Sequence, residues 1–404
     1  MKNIAVLGYG TVGTGVIEVI NTNGKVIKDR QGVELNVKYV LDLRDFPNDP
    51  IQEKIVHDYD IILNDEEVSI VIEVMGGVEP AYTFAKSALK AGKSVISSNK
   101  ALVAAKGTEL LDIAKQNNVN FLFEASCGGG IPIIRPLSTS ITADEVMEIT
   151  GILNGTTNYM LHQMNTEGVE FSEALVDAQS LGYAEADPTA DIEGHDTCRK
   201  LAILTSVATG KYVDFEEIYT EGITKVSAID MKYAKKLGYS IKLLGTSHRL
   251  GEKFCAMVAP FLVSPDSSLY SIVDVFNGIL VKGNVLGEAM FYGSGAGKLP
   301  TASAVVTDII EAAKNEGNNI FDGWRNEKLE LIPIDDVSQT FYVRVKAGLE
   351  DRKSIITELF GDVEFVILDG EDNEFAFITE TVTESKFRNI VDKVENVESV
   401  IRVK

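Results

Sequence analysis

Residues 182–200 carry carboxylates and an amine where a polar loop leads into a helical pattern. The stretch reads GYAEADPTADIEGHDTCRK, and apolar residues at helical spacing follow it. Asp196 and Lys200 are four residues apart, so a helix places both side chains on one face. Carboxylates and an amine at such a junction can grip an amino acid and move a proton. A solvated acidic loop with an ion pair on a helix is the alternative that composition alone favours.

A glycine loop near the start of the chain predicts a dinucleotide site. Gly8, Gly10 and Gly13 follow the apolar segment NIAVL, and a helical pattern through Ile20 follows them. In this context the glycines allow a tight turn, and the backbone N–H groups of the loop, which includes Thr11 and Val12, can approach a pyrophosphate. A glycine-rich turn without a ligand is the alternative.

Two further positions follow apolar strands and fit the same cofactor. Asp42 ends the second strand, where a carboxylate bonds the ribose 2′-hydroxyl and repels a 2′-phosphate. Arg44 pairs with such a phosphate in one alternative, and Asp42 is a plain turn residue in another. The pattern favours NAD over NADP. Ser97 and Lys100 lie at the carboxyl end of a later strand, where ligands bind, although a surface lysine opening a helix is equally compatible.

The segment NGTTNY, which begins at Asn154, ends a strand and opens a helix. N–H groups at a helix start suit a carboxylate, and Gly155 and Thr156 supply the first of them. The same residues also suit N-capping, and both readings can hold together.

The segment EASCGGGIP, which begins at Glu124, runs from a strand end into a glycine loop. Carbonyl oxygens of such a loop, together with Glu124, can hold a hard cation. A flexible interdomain hinge is the reading that the residues alone favour.

The order of strand and helix patterns predicts an α/β protein of several domains. Strands alternate with helices over residues 1–132, which indicates a parallel, doubly wound Rossmann sheet. An α+β domain with an antiparallel sheet is expected over residues 133–318, with a helix at 301–315 that packs back on the first domain. A linker over 319–338 precedes a ferredoxin-like segment at 339–404, where the order is strand-helix-strand-strand-helix-strand.

Bulk composition excludes several classes of protein. The chain has 404 residues and a net charge of -22, which argues against binding to nucleic acid or an anionic membrane. Three cysteines without a C-x-x-C pair suggest reduced thiols rather than a disulfide framework or a zinc site. The chain starts with a strand pattern rather than a signal peptide, and no apolar run reaches transmembrane length. We expect a cytoplasmic protein.

Taken together, these motifs resemble the homoserine dehydrogenases, in the long form that carries a C-terminal ACT-like domain. The resemblance covers residues 8–13, 99–100, 124–132, 154–159, 182–200 and 293–297. It implies interconversion of L-homoserine and L-aspartate 4-semialdehyde with NAD or NADP, in threonine, methionine and isoleucine biosynthesis.

The resemblance also implies roles for single residues. Lys200 is similar to the family's proton-transferring lysine, and Lys100 to the lysine that contacts cofactor and substrate. Glu185 corresponds to the residue that binds the substrate amino group, and Asp191 and Asp196 resemble supporting acids. Two ammonium groups facing one pocket would lower each other's pKa, so the division of work between the lysines stays open.

Further positions follow from the same comparison. Gly155, Thr156 and Tyr183 are expected in the substrate site, and Gly297 beside the cofactor. The resemblance also implies that the cation held by the segment EASCGGGIP is sodium. Its implied ligands are Glu124 and the carbonyls of Cys127, Gly129 and Ile131.

Two departures from the family pattern qualify the resemblance. Leu41 stands where an arginine often precedes the acid, which supports NAD. The C-terminal segment reads AGLEDRK and lacks the usual Asp-x-Pro-Gly turn, so threonine is not expected as an effector. A homodimer or homotetramer is expected through the antiparallel sheet. The rival readings are another amino-acid dehydrogenase and a catalytically silent sensor of nucleotides or amino acids.

Overall fold

The computed structural model describes residues 1–371 and 373–404, and its internal contacts divide the chain into two compact units. The first unit comprises Met1–Glu145, Ala202–Asp214 and Gly293–Leu329. The second comprises Val146–Leu201, Phe215–Tyr292 and Glu330–Lys404.

The elements of both units follow in chain order. The helices are α1 (Thr11–Gln31), α2 (Tyr59–Leu63), α3 (Ala81–Lys90), α4 (Lys100–Gln116), α5 (Gly155–Glu167), α6 (Phe171–Ser180), α7 (Thr189–Ile192), α8 (His195–Thr209), α9 (Ala228–Leu237), α10 (Lys298–Lys314), α11 (Leu349–Phe360) and α12 (Glu384–Val391). The strands are β1 (Lys2–Leu7), β2 (Leu35–Leu41), β3 (Ile55–Val56), β4 (Val68–Glu73), β5 (Ser94–Ser97), β6 (Phe121–Leu122), β7 (Val146–Ile152), β8 (Lys211–Tyr212), β9 (Tyr219–Thr220), β10 (Ser240–Leu250), β11 (Lys253–Val263), β12 (Phe276–Gly283), β13 (Gly287–Ser294), β14 (Arg325–Lys328), β15 (Ser338–Val345), β16 (Phe365–Val366), β17 (Phe375–Ile378), β18 (Val382–Thr383) and β19 (Val397–Val403). Within residues 1–371 and 373–404, no helix combines the length and apolar character needed to cross a membrane.

The first unit is built on a parallel sheet in the order β3-β2-β1-β4-β5-β6. Neighbouring strands pair in parallel throughout this order. Such a sheet is covered on both faces, which accounts for the apolar runs of β1 and β4. The reversal of strand order beside β1 is the topological switch point at which dinucleotides bind. The predicted doubly wound fold is confirmed.

Helix α1 is longer than the sequence pattern predicts. The pattern ends at Ile20, but the helix continues to Gln31 and stops at Gly32, whose φ of 70° is left-handed. Weak helix formers such as Gly24 suggest an earlier end, whereas burial of Ile27 against the unit keeps the helix intact. Helix α10 packs on α1 at Gly15, where a Cβ would lie 2.7 Å from the Lys298 carbonyl oxygen.

The predicted linker is packed for much of its length. Trp324 is 3% exposed, and its Nε1 donates to Thr108 Oγ1 at 2.8 Å. A Cβ on Gly107 would lie 2.6 Å from the Trp324 ring, so glycine is needed there. Strand β14 pairs with β8. The polar composition of the stretch suggests a linker because its few apolar residues are widely spaced.

The second unit contains a long sheet in the order β13-β12-β7-β10-β11-β19-β15-β17-β16. Strand β10 lies in the interior of this order and pairs antiparallel with β7 and β11. This strand was not predicted from the sequence because its residues do not alternate. Residues on both faces of β10 are buried, so a period of two is not required.

The C-terminal segment continues the same sheet. Its strands lie in the order β19-β15-β17-β16 with antiparallel pairs, which is the ferredoxin-like layout predicted from the sequence. Strand β19 also pairs with β11, and residues 330–404 belong to the second unit. Buried Arg402 adds ion pairs to Glu384 at 2.5 Å and Glu221 at 2.8 Å. The ACT-like assignment stays a prediction.

Candidate active site

The glycine loop of the first unit forms an anion cradle. A Cβ on Gly13 would lie 2.0 Å from the Gly8 carbonyl oxygen, so only glycine allows this approach. Gly10 caps α1 and has no atom within 4 Å of its Cβ position. Thr11 and Val12 open the helix, whose first turn has neither an acidic residue nor a side-chain cap. The backbone N–H groups there fit a pyrophosphate.

Asp42 lies beside this loop at the end of β2. Its Oδ2 accepts the Tyr9 N–H at 2.9 Å, and its two oxygens accept Arg44 Nε at 2.9 Å and Nη2 at 3.0 Å. These hydrogen bonds from Arg44 hold the pKa of Asp42 well below its usual range. The structure therefore joins Asp42 to the glycine loop and places Arg44 on the same carboxylate.

A buried carboxyl group supports the start of α4, where Lys100 is the first residue. Glu73 ends β4 and is fully buried; it accepts Ser97 Oγ at 2.6 Å and Asn99 Nδ2 at 3.4 Å. Asn99 in turn caps α4 by accepting the Leu102 N–H at 3.1 Å. Burial raises the pKa of Glu73 to about 7. Glu73 was not predicted from the sequence, although a charge that ends an apolar strand at this sheet edge is a usable signal.

Replacing Glu73 by Gln is expected to stabilise the protein at alkaline pH. The pKa of Glu73 is raised from 4.5 to about 7, so the folded chain disfavours the ionised form. The resulting penalty is absent below about pH 4.5, grows up to about pH 7, and is full above it, on the order of 3 kcal/mol. Chemical denaturation across this range measures the difference between the two proteins.

Glu53→Gln, on an exposed residue, is the control and should show no such pH dependence. A Glu73→Gln protein that is destabilised equally at every pH would contradict the burial argument.

The segment after β6 is fixed by Glu124 rather than left as a hinge. Its carboxylate accepts the N–H groups of Ile133 at 2.6 Å and of Ile134 and Arg135 at 2.8 Å. Its own N–H donates to Asp308 Oδ2 at 2.8 Å. The Glu124 side chain therefore braces the loop, with both oxygens already engaged by backbone donors.

The predicted sodium ligands and Gly297 belong to two loops that meet in the first unit. Gly129 has a φ of 55°, and a Cβ there would lie 2.5 Å from the Gly295 carbonyl oxygen. Across residues 1–371 and 373–404, no three His, Cys, Asp or Glu side chains form a metal cluster. The sodium prediction therefore rests chiefly on the backbone carbonyls of Cys127, Gly129 and Ile131, whose hard oxygens are suited in type to such an ion.

In the second unit, Lys200 and Asp196 form a buried ion pair on α8. Lys200 Nζ donates to Asp196 Oδ2 at 2.7 Å and to the Leu153 carbonyl at 2.8 Å. Lys200 is 8% exposed and Asp196 is 1% exposed, so this is not the solvated surface pair of the alternative reading. An ammonium group held this way has a fixed position and a fixed counter-charge.

Asn154 links both supporting acids to the start of α5. Its Nδ2 donates to Asp191 Oδ1 at 2.7 Å and to Asp196 Oδ2 at 2.9 Å. Its Oδ1 accepts the Thr157 N–H at 2.9 Å, which makes it the N-cap of α5. The sequence indicates the cap, but it does not reveal the bridge because the partners are distant along the chain.

Three further predicted substrate residues, Gly155, Thr156 and Tyr183, lie at or beside the same helix start. Thr156, which follows Gly155, donates through Oγ1 to the Tyr183 carbonyl at 2.7 Å. The Tyr183 ring packs on Tyr159 with centroids 4.9 Å apart. Glu185 is exposed, and its backbone carbonyl accepts a hydrogen bond from Gln179 Nε2 at 3.1 Å.

Known proteins match this chain along almost its full length. Sequence profiles described as "Homoserine dehydrogenase, NAD binding domain" and "Homoserine dehydrogenase" match residues 8–124 and 132–310. A homoserine dehydrogenase of Helicobacter pylori is 38% identical over 99% of this chain and 96% of its own length. The chain belongs to the homoserine dehydrogenase family. The Bacillus subtilis member is 37% identical over 99% of this chain and 96% of its length.

Solved structures of the family share the fold. A homoserine dehydrogenase from Thiobacillus denitrificans superposes with a TM-score of 0.92 at 33% identity, over 100% of this chain and 98% of the other. The S. aureus enzyme at pH 8.5 gives 0.82 at 32% identity, over 100% and 98%. A hyperthermophilic archaeal homoserine dehydrogenase in complex with NADPH gives 0.67 at 31% identity, over 78% and 98%. The resemblance drawn from the motifs is thus confirmed at the level of family and fold.

Proposed function

We propose that this chain catalyses the NAD(P)-dependent interconversion of L-homoserine and L-aspartate 4-semialdehyde. The buried Lys200–Asp196 pair, tied to Asp191 through Asn154, is the observation that carries the proposal in a member of this family. A pathway role follows with it, namely threonine, methionine and isoleucine biosynthesis.

Lys200 is proposed to handle the proton. The bound nicotinamide supplies or accepts the hydride. In the reducing direction negative charge grows on the substrate oxygen, and an ammonium group there stabilises that charge and donates a proton. Asp196 keeps Lys200 oriented through its 2.7 Å hydrogen bond.

The start of α5 is proposed to receive the amino-acid part of the substrate. The first N–H groups of a helix have no partner within it, so those of Gly155 and Thr156 suit the α-carboxylate. Glu185 and Asp191 supply negative charge for the ammonium group, and Tyr183 lines the site. These assignments are supported by the resemblance and by the position of Asn154 between the acids.

The remaining proposals concern cofactor contacts, cation and assembly. Lys100 contacts both cofactor and substrate, and Gly297 contacts the cofactor. Sodium is bound by the Cys127, Gly129 and Ile131 carbonyls beside Glu124. A comparison of reaction rates in sodium salts and in choline salts tests this assignment.

We further propose a cytoplasmic homodimer or homotetramer with a C-terminal ACT-like segment that does not respond to threonine.

The cofactor preference is proposed to rest on Asp42, which favours NAD. Replacing Asp42 by Ser removes the carboxylate that excludes a 2′-phosphate and releases Arg44, which is paired with it by two hydrogen bonds. The ratio of kcat/KM for NAD to that for NADP is expected to fall by at least about tenfold. Initial rates with each cofactor at saturating homoserine measure this ratio.

Arg44→Ala is the matched control, since it removes the side chain that would bind the phosphate. Asp42→Ser combined with Arg44→Ala should restore little NADP activity. An unchanged ratio in Asp42→Ser would contradict the role of Asp42.

A substrate panel tests the proposed reaction. The purified chain is assayed with L-homoserine, L-serine, L-threonine and L-malate, each with NAD and with NADP. Homoserine is expected to be the preferred substrate, and added L-threonine should not inhibit. Activity with another member of the panel would favour a related dehydrogenase, and activity with none would favour a silent sensor.

A further inference from the structure

Asn277 on β12 is a buried amide whose hydrogen-bonding groups have no partner. The residue is fully buried, and neither Nδ2 nor Oδ1 has a hydrogen-bond partner within the part of the chain that the structure describes. Leaving a buried donor or acceptor unsatisfied is costly, so native proteins rarely do so without a reason. The surroundings of the Asn277 side chain indicate why its amide is left unpaired.

Asn277 points toward the side of the sheet that carries α8. Ile279 pairs with Gly151, which also pairs with Gly245, so the three positions share one face. A Cβ on Gly245 would lie 3.0 Å from Thr197 of α8, which identifies that face. Asn277 precedes Ile279 by two residues and therefore points the same way. The helix on this face is the one that carries Asp196 and Lys200.

The turn that precedes Asn277 is clamped to the start of α5. Asn158 Nδ2 donates to the carbonyls of Asp274 at 2.8 Å and Phe276 at 3.2 Å. A Cβ on Gly155 would lie 2.6 Å from the Val275 carbonyl oxygen, an approach that only glycine allows. The same Cβ position is 3.6 Å from Asn277 Oδ1. The amide is thus fixed directly against the first residue of α5.

We propose that Asn277 is a positioning residue for the substrate. It hydrogen-bonds the Leu153–Gly155 segment when a carboxylate binds at the start of α5. This segment supplies the carbonyl that binds Lys200 at 2.8 Å as well as the first N–H groups of α5. A small shift of its peptide groups toward the amide satisfies Asn277, so binding of an amino acid is coupled to the relief of a buried, unpaired group. This inference rests on the proposed function, because it assigns the ligand as the amino-acid substrate.

The decisive variant is Asn277→Leu, which keeps the number and branching of the side-chain heavy atoms and removes both polar groups. Its Tm without substrate is expected to equal or exceed that of the wild type, because replacing an unsatisfied polar group by an apolar one of similar shape is neutral or stabilising. The KM for homoserine should rise by at least about tenfold, the loss expected for a hydrogen bond or two at the site. The Tm increase produced by homoserine should disappear, while the increase produced by NAD should remain.

Asn277→Ser separates stability from substrate response. Serine keeps a donor and an acceptor but leaves a cavity, so the Tm should fall while more of the homoserine response survives than in Asn277→Leu. Ser247→Ala is the matched control on the same sheet face, because the Ser247 hydroxyl is likewise buried and unpaired. It should not change the KM for homoserine.

The outcomes are distinct. An Asn277→Leu protein with a lowered Tm and an unchanged KM would show that Asn277 is only structural and would overturn the inference. The inference would also be overturned if the Tm increase produced by homoserine rose and fell among the variants only in step with their Tm without substrate. A wild-type protein that does not respond to homoserine at all would instead overturn the proposed function itself.

Discussion

Lys200→Ala is expected to reduce kcat for homoserine oxidation by about 10²- to 10⁴-fold, the usual contribution of a positioned acid–base group. The Lys200 ammonium lies 2.7 Å from Asp196 Oδ2 and 2.8 Å from the Leu153 carbonyl, so alanine removes an amine whose position is fixed by two hydrogen bonds. The Kd for NAD should change little, because the glycine loop and Asp42 belong to the first unit. Steady-state kinetics and a direct cofactor titration measure the two quantities.

The loss of Lys200 also leaves buried Asp196 without its counter-charge, which destabilises a protein by roughly 3–5 kcal/mol. Lys200→Met combined with Asp196→Asn removes both charges and separates lost chemistry from lost folding. Lys235→Ala, at an exposed residue of α9 in the same unit, is the control and should retain turnover. Near wild-type turnover in Lys200→Ala would contradict the assignment.

Gly13→Ala is expected to weaken NAD binding by at least about 100-fold, or about 2.7 kcal/mol. The added Cβ would lie 2.0 Å from the Gly8 carbonyl oxygen, so the turn that forms the anion cradle must open. The start of α1 then no longer presents its N–H groups to the pyrophosphate. Isothermal titration with NAD gives the affinity directly.

Gly24→Ala in the same helix is the matched control. No atom lies within 4 Å of the Gly24 Cβ position, so alanine fits and stabilises the helix by up to about 1 kcal/mol. NAD affinity should be unchanged in this protein. If Gly13→Ala binds NAD as tightly as Gly24→Ala, the close approach of Gly13 to Gly8 is not needed for binding.

Local sequence patterns predict much of the fold. The apolar strands that alternate with helices predict the doubly wound sheet because each buried strand is a short apolar run between turn signals. Asp42 could be placed beside the glycine loop because parallel strands end at one edge of a sheet. Local patterns do not predict segments whose burial depends on distant parts of the chain. Strand β10, which is buried on both faces, and the packed stretch around Trp324 are two examples.

The candidate site also has a part that the sequence predicts and a part that depends on tertiary packing. Asp196 and Lys200 are predicted together because four residues separate them on a helix. The Asn154 bridge to Asp191 and Asp196, and the unpaired amide of Asn277, depend on segments far apart in sequence. The sequence predicts which residue types are present, but only tertiary packing determines which of them hydrogen-bond to each other.

The C-terminal segment has the predicted element order and also contacts other parts of its unit. Its ferredoxin-like order follows from the strand and helix patterns. Its attachment depends on the pairing of β19 with β11 and on Arg344, which bonds Asp230 of α9 at 2.7 Å. Residues 330–404 therefore share a compact unit with the site on α8.

Homoserine-dependent formation of reduced nicotinamide by the purified chain tests the central claim most directly. The wild-type protein is assayed beside Lys200→Ala at saturating NAD, with L-homoserine as the only variable. We predict a saturable rate for the wild type that falls by at least about 100-fold in the variant. A wild-type rate that is independent of homoserine, or equal rates for both proteins, would contradict the account.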